Sequence, residues 1–101
     1  KLMVDSGLIV ISALVSPFES DRNDARSRFE SGEFVEVFID TPVEVCEARD
    51  PKGLYKKAAA GEIPNFTGVG QAYERPLNPD LKLDGTAPIS EMVTAILKWI
   101  L

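Results

Sequence analysis

The chain has 101 residues, enough for one domain, and its 45% apolar and 27% charged residues are typical of a globular protein, not a disordered one. A single cysteine, Cys46, excludes an internal disulfide, and because histidine is absent a Cys/His zinc site is excluded as well. The net charge of −5 argues against sequence-independent DNA binding, and no apolar run reaches the roughly 18 residues that a bilayer span needs. We therefore expect a protein of the reducing cytoplasm, without a nucleic-acid or membrane partner.

Helix and strand patterns alternate along the chain. Residues 8–14 are almost continuously apolar, which predicts a strand buried on both faces, as in a parallel sheet covered by helices. Ser20 or Asp21 is the predicted cap of the second helix, and Thr41 is that of the third, with Pro42 in its first turn. The predicted helices cover residues 1–7, about 20–32, 42–49, 54–60 and 88 to the end, and the predicted strands cover 8–14, 34–40 and 81–83.

This order of elements predicts a layered α/β fold with parallel strands. Because three strands are few for such a sheet, we expect the remaining ones to lie before Lys1. Residues 62–79 contain several prolines and glycines and should form a long loop, and loops of this length are typically lids or binding loops. The last helix should pack one apolar face on the sheet, formed by Ile89, Met92, Val93, Ile96, Leu97 and Ile100.

Two basic segments stand out in this acidic chain. One contains Arg22, Arg26 and Arg28, and the other runs from Arg49 to Lys57. Such local cationic patches suit a small anionic ligand better than a polyanion. Solvated helix faces with ion pairs one turn apart explain the same pattern, and charge alone favours that explanation.

Several motifs occur together in a characteristic order. The longest is Arg-Asp-Pro-Lys-Gly-Leu-Tyr-Lys-Lys-Ala, at residues 49–58. Shorter matches are Asp-Ser-Gly-Leu-Ile-Val-Ile, Val-Ser-Pro-Phe, Glu-Val-Phe-Ile-Asp-Thr-Pro and Phe-Thr-Gly, at residues 5–11, 15–18, 36–42 and 66–68. With these motifs the chain resembles the adenylylsulfate (APS) kinase family from about Val4 to the last helix. Members of that family use ATP with Mg²⁺ to phosphorylate the 3′-hydroxyl of adenylyl sulfate.

The resemblance implies a three-layer P-loop kinase-type fold with a mainly parallel sheet. Residues 1–101 would be the C-terminal part of one kinase domain, with a lid loop at about 52–79. The Gly-rich phosphate-binding loop of the family does not occur in this sequence. It is expected before Lys1, together with the ligands of the phosphates and of the metal, so no metal ligand is assigned to this chain.

On the resemblance, the adenylyl-sulfate side of the site comprises Val15, Ser16, Lys52, Asn65 and Phe66. Ser16 matches the active-site serine of the family and is the candidate catalytic residue; by position alone it is equally a Ser-Pro turn residue. Lys52 would supply a point charge to the phosphosulfate, although an exposed turn lysine is the simpler explanation without the family. Phe66 would close over the adenine of adenylyl sulfate, and its alternative is a plug that packs the loop onto the domain.

Arg49, Thr86 and Ala87 would form the ATP adenine pocket, as the resemblance implies. The planar guanidinium of Arg49 can cover a base, while residues 86 and 87 would form the other wall, mostly through backbone atoms. Arg49 also ends a predicted helix, where a cation opposes the helix dipole. Both roles can hold at once.

The family further implies a homo-dimer and an ATP sulfurylase that is fused to the kinase or associated with it. Two other functions stay open. A non-catalytic, kinase-like regulatory module would keep the sulfonucleotide pocket and lack the Gly-rich loop. Another nucleoside-type kinase could share the fold, but the motif at residues 49–58 and the Phe-Thr-Gly motif argue against it.

Overall fold

Two parallel strands, β1 (Val37–Asp40) and β2 (Leu81–Asp84), pair in register, with Phe38 opposite Lys82 and Ile39 opposite Leu83. The computed structural model describes residues 1–67 and 72–101, so the predicted loop glycines Gly68 and Gly70 lie outside the described residues. The helices are α1 (Leu2–Asp5), α2 (Glu19–Ser27), α3 (Val43–Arg49), α4 (Leu54–Ala59) and α5 (Ile89–Ile100). A parallel pair whose crossover contains two helices is the predicted α/β architecture.

The buried apolar side chains belong to the strands and to α4. Phe38, Leu83 and Ala58 are buried, and the ring of Phe38 stacks on Tyr73 at a centroid distance of 6.1 Å. Phe38 therefore lies in the core, whereas 37% of Phe18 is exposed.

The predicted strand at residues 8–14 is absent from this structure. The segment has no regular hydrogen-bonded structure, and its apolar side chains are open to solvent, with Ile9 72%, Ile11 84% and Leu14 80% exposed. A strand needs a neighbour for its backbone N–H and C=O groups. Within the described part of the chain, β1 and β2 pair only with each other, so nothing beside this segment supplies a hydrogen-bonding ladder.

Helix starts differ from the predicted caps. Phe18 occupies the N-cap of α2 in an extended conformation, so the predicted caps Ser20 and Asp21 instead lie in its first turn. There the negative charge of Asp21 interacts favourably with the positive end of the helix dipole and stabilises the helix. Pro42, and not Thr41, occupies the N-cap of α3 with φ −56° and ψ 141°. Neither N-cap residue supplies a side-chain hydrogen bond, because the side chains of Phe18 and Pro42 contain no oxygen.

Glycines follow two of the helix ends. Gly7 follows α1 at φ +92° and Gly61 follows α4 at φ +81°, both as predicted from their positions. The predicted end of α2 near Gly32 is wrong: α2 ends at Ser27, and Gly32, at φ +87°, belongs to a separate turn. The charged segment after Ser27 therefore leaves the helix one turn earlier than its composition indicates.

Helix α5 begins after Pro88 and packs against β2. Only part of its predicted apolar face is covered: Met92 and Ile96 are half-buried, whereas Ile89 and Val93 remain 75% and 47% exposed. Contact with β2 therefore leaves part of the face exposed. Among the helices of residues 1–67 and 72–101, none combines the length and apolar character that a membrane crossing requires.

Asp80 joins the beginnings of both strands to α2. Its Oδ2 accepts hydrogen bonds from the backbone N–H of Glu36 and from Arg26 Nη2, both at 2.6 Å. Burial of the Asp80 carboxylate raises its pKa, but these two hydrogen bonds outweigh burial, and the pKa lies below its usual value. The ionised carboxylate is therefore part of the folded structure.

We expect Asp80→Asn to lower the free energy of unfolding by about 1–2 kcal/mol at neutral pH, because charge-assisted hydrogen bonds are lost. A group with a lowered folded-state pKa stabilises above its unfolded pKa, about 3.9, and loses this effect as pH falls through the folded value. Denaturant unfolding at several pH values should show variant and parent converging in acid. Asp24→Asn is the control, since Asp24 pairs with Arg28 in solvent; a pH-independent loss for Asp80→Asn would contradict the role of charge.

Candidate functional site

The loops that follow β1 and β2 meet at the carboxyl ends of the strands, where open α/β sheets bind ligands. The N–H of Gly85 donates to the carbonyl oxygen of Asp40 at 2.9 Å. A Cβ added to Gly85 would lie 1.6 Å from Thr41 Oγ1. Only glycine therefore allows the turn after β2 to pack against the end of β1.

Arg49 lies against the turn after β2. Arg49 Nη1 donates to the carbonyl oxygen of Gly85 at 3.0 Å. Asp84 Oδ1 accepts from the N–H of Thr86 at 2.8 Å and from its hydroxyl at 2.6 Å, and the N–H of Ala87 donates to the Asp84 carbonyl at 3.0 Å. The Thr86 hydroxyl, and then its N–H, hold the pKa of Asp84 below its usual value. The Thr86 hydroxyl is thus hydrogen-bonded within the turn. A ligand here would meet the backbone of the turn and the guanidinium group of Arg49.

Asp40, at the end of β1, is engaged in ion pairs. Arg75 Nη1 and Nη2 donate to its two carboxylate oxygens at 3.0 and 2.9 Å, and Lys82 Nζ lies 3.6 Å away. The Arg75 hydrogen bonds hold the pKa of Asp40 below its usual value. This carboxylate therefore secures the segment around Arg75 to the sheet.

Ser16 is half-buried in the loop between residue 14 and α2, and its φ is +43°. Its carbonyl oxygen accepts a hydrogen bond from Arg22 Nη1 at 2.5 Å. The neighbouring Pro17 carbonyl accepts from the N–H of Glu74 at 2.8 Å, while Val15 is 62% exposed. Hydrogen bonds to the Ser16 and Pro17 carbonyls therefore anchor the loop to the rest of the protein, whereas Val15 is exposed to solvent.

Asn65 also has a left-handed backbone, with φ +55°, and shares this conformation with Ser16. This conformation is uncommon for serine and better tolerated by asparagine, and it costs on the order of 1 kcal/mol. Such residues concentrate at binding and catalytic sites. Both belong to the set predicted for adenylyl sulfate.

Phe66 is half-buried and meets Tyr55 of α4 edge-on, with ring centroids 4.9 Å apart and planes at 75°. Burial raises the pKa of Tyr55, and the neighbouring Cys46 adds to this. This packing is what the loop-plug interpretation of Phe66 predicts, and it leaves part of the ring exposed.

Lys52 lies exposed in the turn before α4 and, among the described residues, makes no ion pair. Asp50 shapes this turn, because its two carboxylate oxygens accept from the N–H groups of Tyr55 and Lys56 at 3.0 and 3.2 Å. Gly53 completes it at φ +67°. The ammonium group of Lys52 is thus presented to solvent on a fixed turn.

Sequence reasoning missed the residues that support these loops: Arg22, Asp50, Tyr73, Glu74 and Arg75. Arg22 was noted only as part of a basic segment, yet it is buried and bonded to two backbone carbonyls. Backbone acceptors leave no mark in a sequence. Asp50 alone had a usable signal, since an aspartate shortly before a helix can accept hydrogen bonds from the unpaired N–H groups of its first turn.

A parallel pair of strands between helices, with its loops gathered at the carboxyl ends, places the molecule in the class of open α/β ligand-binding folds. The adenylylsulphate kinase family model matches residues 1–84. The chain therefore belongs to the adenylylsulphate kinase family, and its small parallel sheet is part of a P-loop kinase-type fold.

Individual relatives agree with this membership. The adenylyl-sulfate kinase of Marinobacter nauticus is 52% identical over 101 residues, covering 99% of this chain and 51% of the relative. That of Aeromonas hydrophila is 55% identical over 98 residues, covering 96% and 50%. The APS kinase of Mycobacterium tuberculosis, solved in complex with AMPPNP and APS, superimposes with a TM-score of 0.90 at 43% identity, covering 98% of this chain and 58% of that one. The chain spans about half the length of the curated relatives it matches.

Proposed function

We propose that the protein containing this chain transfers a phosphoryl group from ATP to the 3′-hydroxyl of adenylyl sulfate, producing 3′-phosphoadenylyl sulfate. Residues 1–101 would form the C-terminal part of its kinase domain. One observation carries the proposal: the left-handed residues Ser16 and Asn65 are both residues for which family resemblance implies substrate contact. The similarity to a kinase solved with AMPPNP and APS supports it.

In this proposal two loops hold adenylyl sulfate. Ser16 offers its hydroxyl, with Val15 beside it, from a loop whose carbonyl groups are already bonded on the protein side. The flexible side chain of Lys52 brings a positive charge to the phosphosulfate, while the backbone of its turn is held by Asp50. Asn65 and Phe66 approach from the lid at about 52–79, with Phe66 covering the adenine.

ATP would place its adenine between Arg49 and the backbone of Thr86 and Ala87, where the Arg49–Gly85 hydrogen bond holds the guanidinium beside the turn. When bound, Mg²⁺ neutralises charge on the transferring phosphoryl group. The described residues contain no group of three or more carboxylate or thiolate side chains that fits a metal ion. No step of the reaction is therefore assigned to a metal held by this chain.

Phosphoryl transfer needs positioning and charge stabilisation more than covalent work by the protein. The contribution of this chain would be to hold the acceptor nucleotide, to orient its 3′-hydroxyl, and to exclude water when the lid closes. A cytoplasmic location, a homo-dimer and association with ATP sulfurylase belong to the same proposal on family grounds.

The test is an assay of the full-length kinase with ATP and adenylyl sulfate, in which 3′-phosphoadenylyl sulfate is separated and quantified. Lys52→Ala should raise KM for adenylyl sulfate about tenfold or more, because a charge-assisted contact to the phosphosulfate is lost. KM for ATP should stay within about twofold. Lys57→Ala, in the same basic segment but exposed on α4, is the matched control.

Equal increases of both KM values for Lys52→Ala would indicate a folding defect instead of a substrate contact. Tight binding of adenylyl sulfate without any product would favour the non-catalytic module. Phosphorylation of unrelated nucleosides in preference to adenylyl sulfate would favour another nucleoside kinase.

A further inference from the structure

Arg22, on α2, is buried, with 8% of its surface exposed. Among the described residues it is the one charged residue that is buried. Burying a guanidinium is costly unless it is paired and hydrogen-bonded. Its Nε has no partner within the described residues. The burial therefore calls for an explanation beyond a surface ion pair.

The guanidinium group of Arg22 joins three segments. Nη1 donates to the carbonyl oxygen of Ser16, and Nη2 donates to the carbonyl oxygen of Glu74, both at 2.5 Å. Nη2 also contacts Glu19 Oε2 at 2.6 Å, which supplies the opposite charge. The group lies 5.4 Å from the ring centre of Tyr73. An arginine suits this place because its planar fork reaches several acceptors at fixed angles, whereas an ammonium is a single point.

Two further hydrogen bonds reinforce the junction. The N–H of Glu74 donates to the Pro17 carbonyl, and Glu74 Oε1 accepts from the N–H of Glu19, both at 2.8 Å. Glu74 therefore both donates a hydrogen bond to the loop that contains Ser16 and accepts one from the first residue of α2. Segment 72–75 is the C-terminal part of the predicted lid.

We infer that Arg22 is a positioning residue for the adenylyl-sulfate side of the site, an inference that rests on the proposed function. By holding the Ser16 carbonyl it keeps that residue in its left-handed conformation and fixes the peptide plane before Pro17. By holding the Glu74 carbonyl it ties the end of the lid to the same loop. Arg22 itself need not touch the nucleotide.

The experiment compares the full-length kinase with its Arg22→Lys and Arg22→Met variants, measuring kcat, KM for each substrate and Tm. Arg22→Lys keeps the charge beside Glu19 but cannot hold both carbonyls. It should raise KM for adenylyl sulfate about tenfold while KM for ATP stays within about twofold. Arg22→Met should show a larger increase. Arg28→Lys and Arg28→Met are controls on the same helix, since the Arg28 side chain is 68% exposed and pairs only with Asp24 among the described residues.

A selective rise in KM for adenylyl sulfate by Arg22→Lys, with Tm near that of the parent, supports the inference. Unchanged KM values, or KM values that rise together for both substrates as Tm falls, overturn it and make Arg22 purely structural. If Arg22→Met does not fold, the lysine variant decides. A parent enzyme that does not phosphorylate adenylyl sulfate overturns the proposed function, whereas an active parent with unaltered Arg22 variants overturns this inference alone.

Discussion

Replacing Phe66 with alanine in the full-length kinase should weaken binding of adenylyl sulfate by roughly 5- to 150-fold, since stacking of a base on an aromatic ring contributes about 1–3 kcal/mol. Phe66 follows the left-handed Asn65 and is half-buried, so part of its ring can meet a base while Tyr55 supports it from the protein side. Phe66→Trp should retain most of the affinity, because it keeps an aromatic face. The affinity is best measured by calorimetric titration of adenylyl sulfate.

A second readout separates lid closure from simple packing. If the lid over Phe66 excludes water from the transferring phosphoryl group, Phe66→Ala should also release some phosphate from ATP by hydrolysis. Phe29→Ala is the matched control, because Phe29 packs against Phe34 at 5.4 Å and has no proposed ligand role. Unchanged affinity for adenylyl sulfate together with a lower Tm for Phe66→Ala would show that Phe66 is a loop plug.

The 101-residue chain by itself should transfer no phosphoryl group to adenylyl sulfate, a complete loss relative to the full-length kinase. Its sequence contains no Gly-x-x-x-x-Gly-Lys-Ser/Thr loop, so nothing in it can surround the β- and γ-phosphates with backbone N–H groups. The apolar side chains of residues 8–14 are also exposed in the chain alone. Both features point to a catalytic unit larger than this chain.

This expectation is checked by assaying the purified chain, its mass verified as 11.1 kDa, beside the full-length kinase as positive control. Circular dichroism of the same sample shows whether the chain folds. Turnover above the rate without protein would contradict the prediction and would require a phosphate-binding site among these residues.

Local signals in the sequence predicted much of the fold. Gly7 and Gly61 end their helices at positive φ, Pro88 precedes α5, and the segments before Asp40 and Asp84 form the paired strands. Each of these signals acts within a few residues of the chain, through backbone angles, missing N–H groups or alternating polarity. For the same reason the α/β class and the order of the elements from α2 to α5 could be predicted without coordinates.

The candidate site was predictable only in part. Family motifs pointed to Ser16, Lys52 and Phe66, and the structure places Arg49 against the turn that contains Thr86. The roles of these residues toward the nucleotides remain predictions for the experiments above. The supports around them, such as the Arg75–Asp40 ion pair, join residues that are 35 positions apart. No periodicity or local motif encodes such a pair.

By itself, then, the sequence determined the order of the elements from α2 to α5, the glycine turns after α1 and α4, and the family motifs, because these depend on residues that are neighbours along the chain. The tertiary structure alone decided that residues 8–14 stay exposed, that Phe66 meets Tyr55, and that Arg22 holds the Ser16 and Glu74 carbonyls. A strand pattern cannot supply its own partner strand, and a backbone carbonyl is the same in every residue. Only the path of the folded chain selects which carbonyl an arginine reaches.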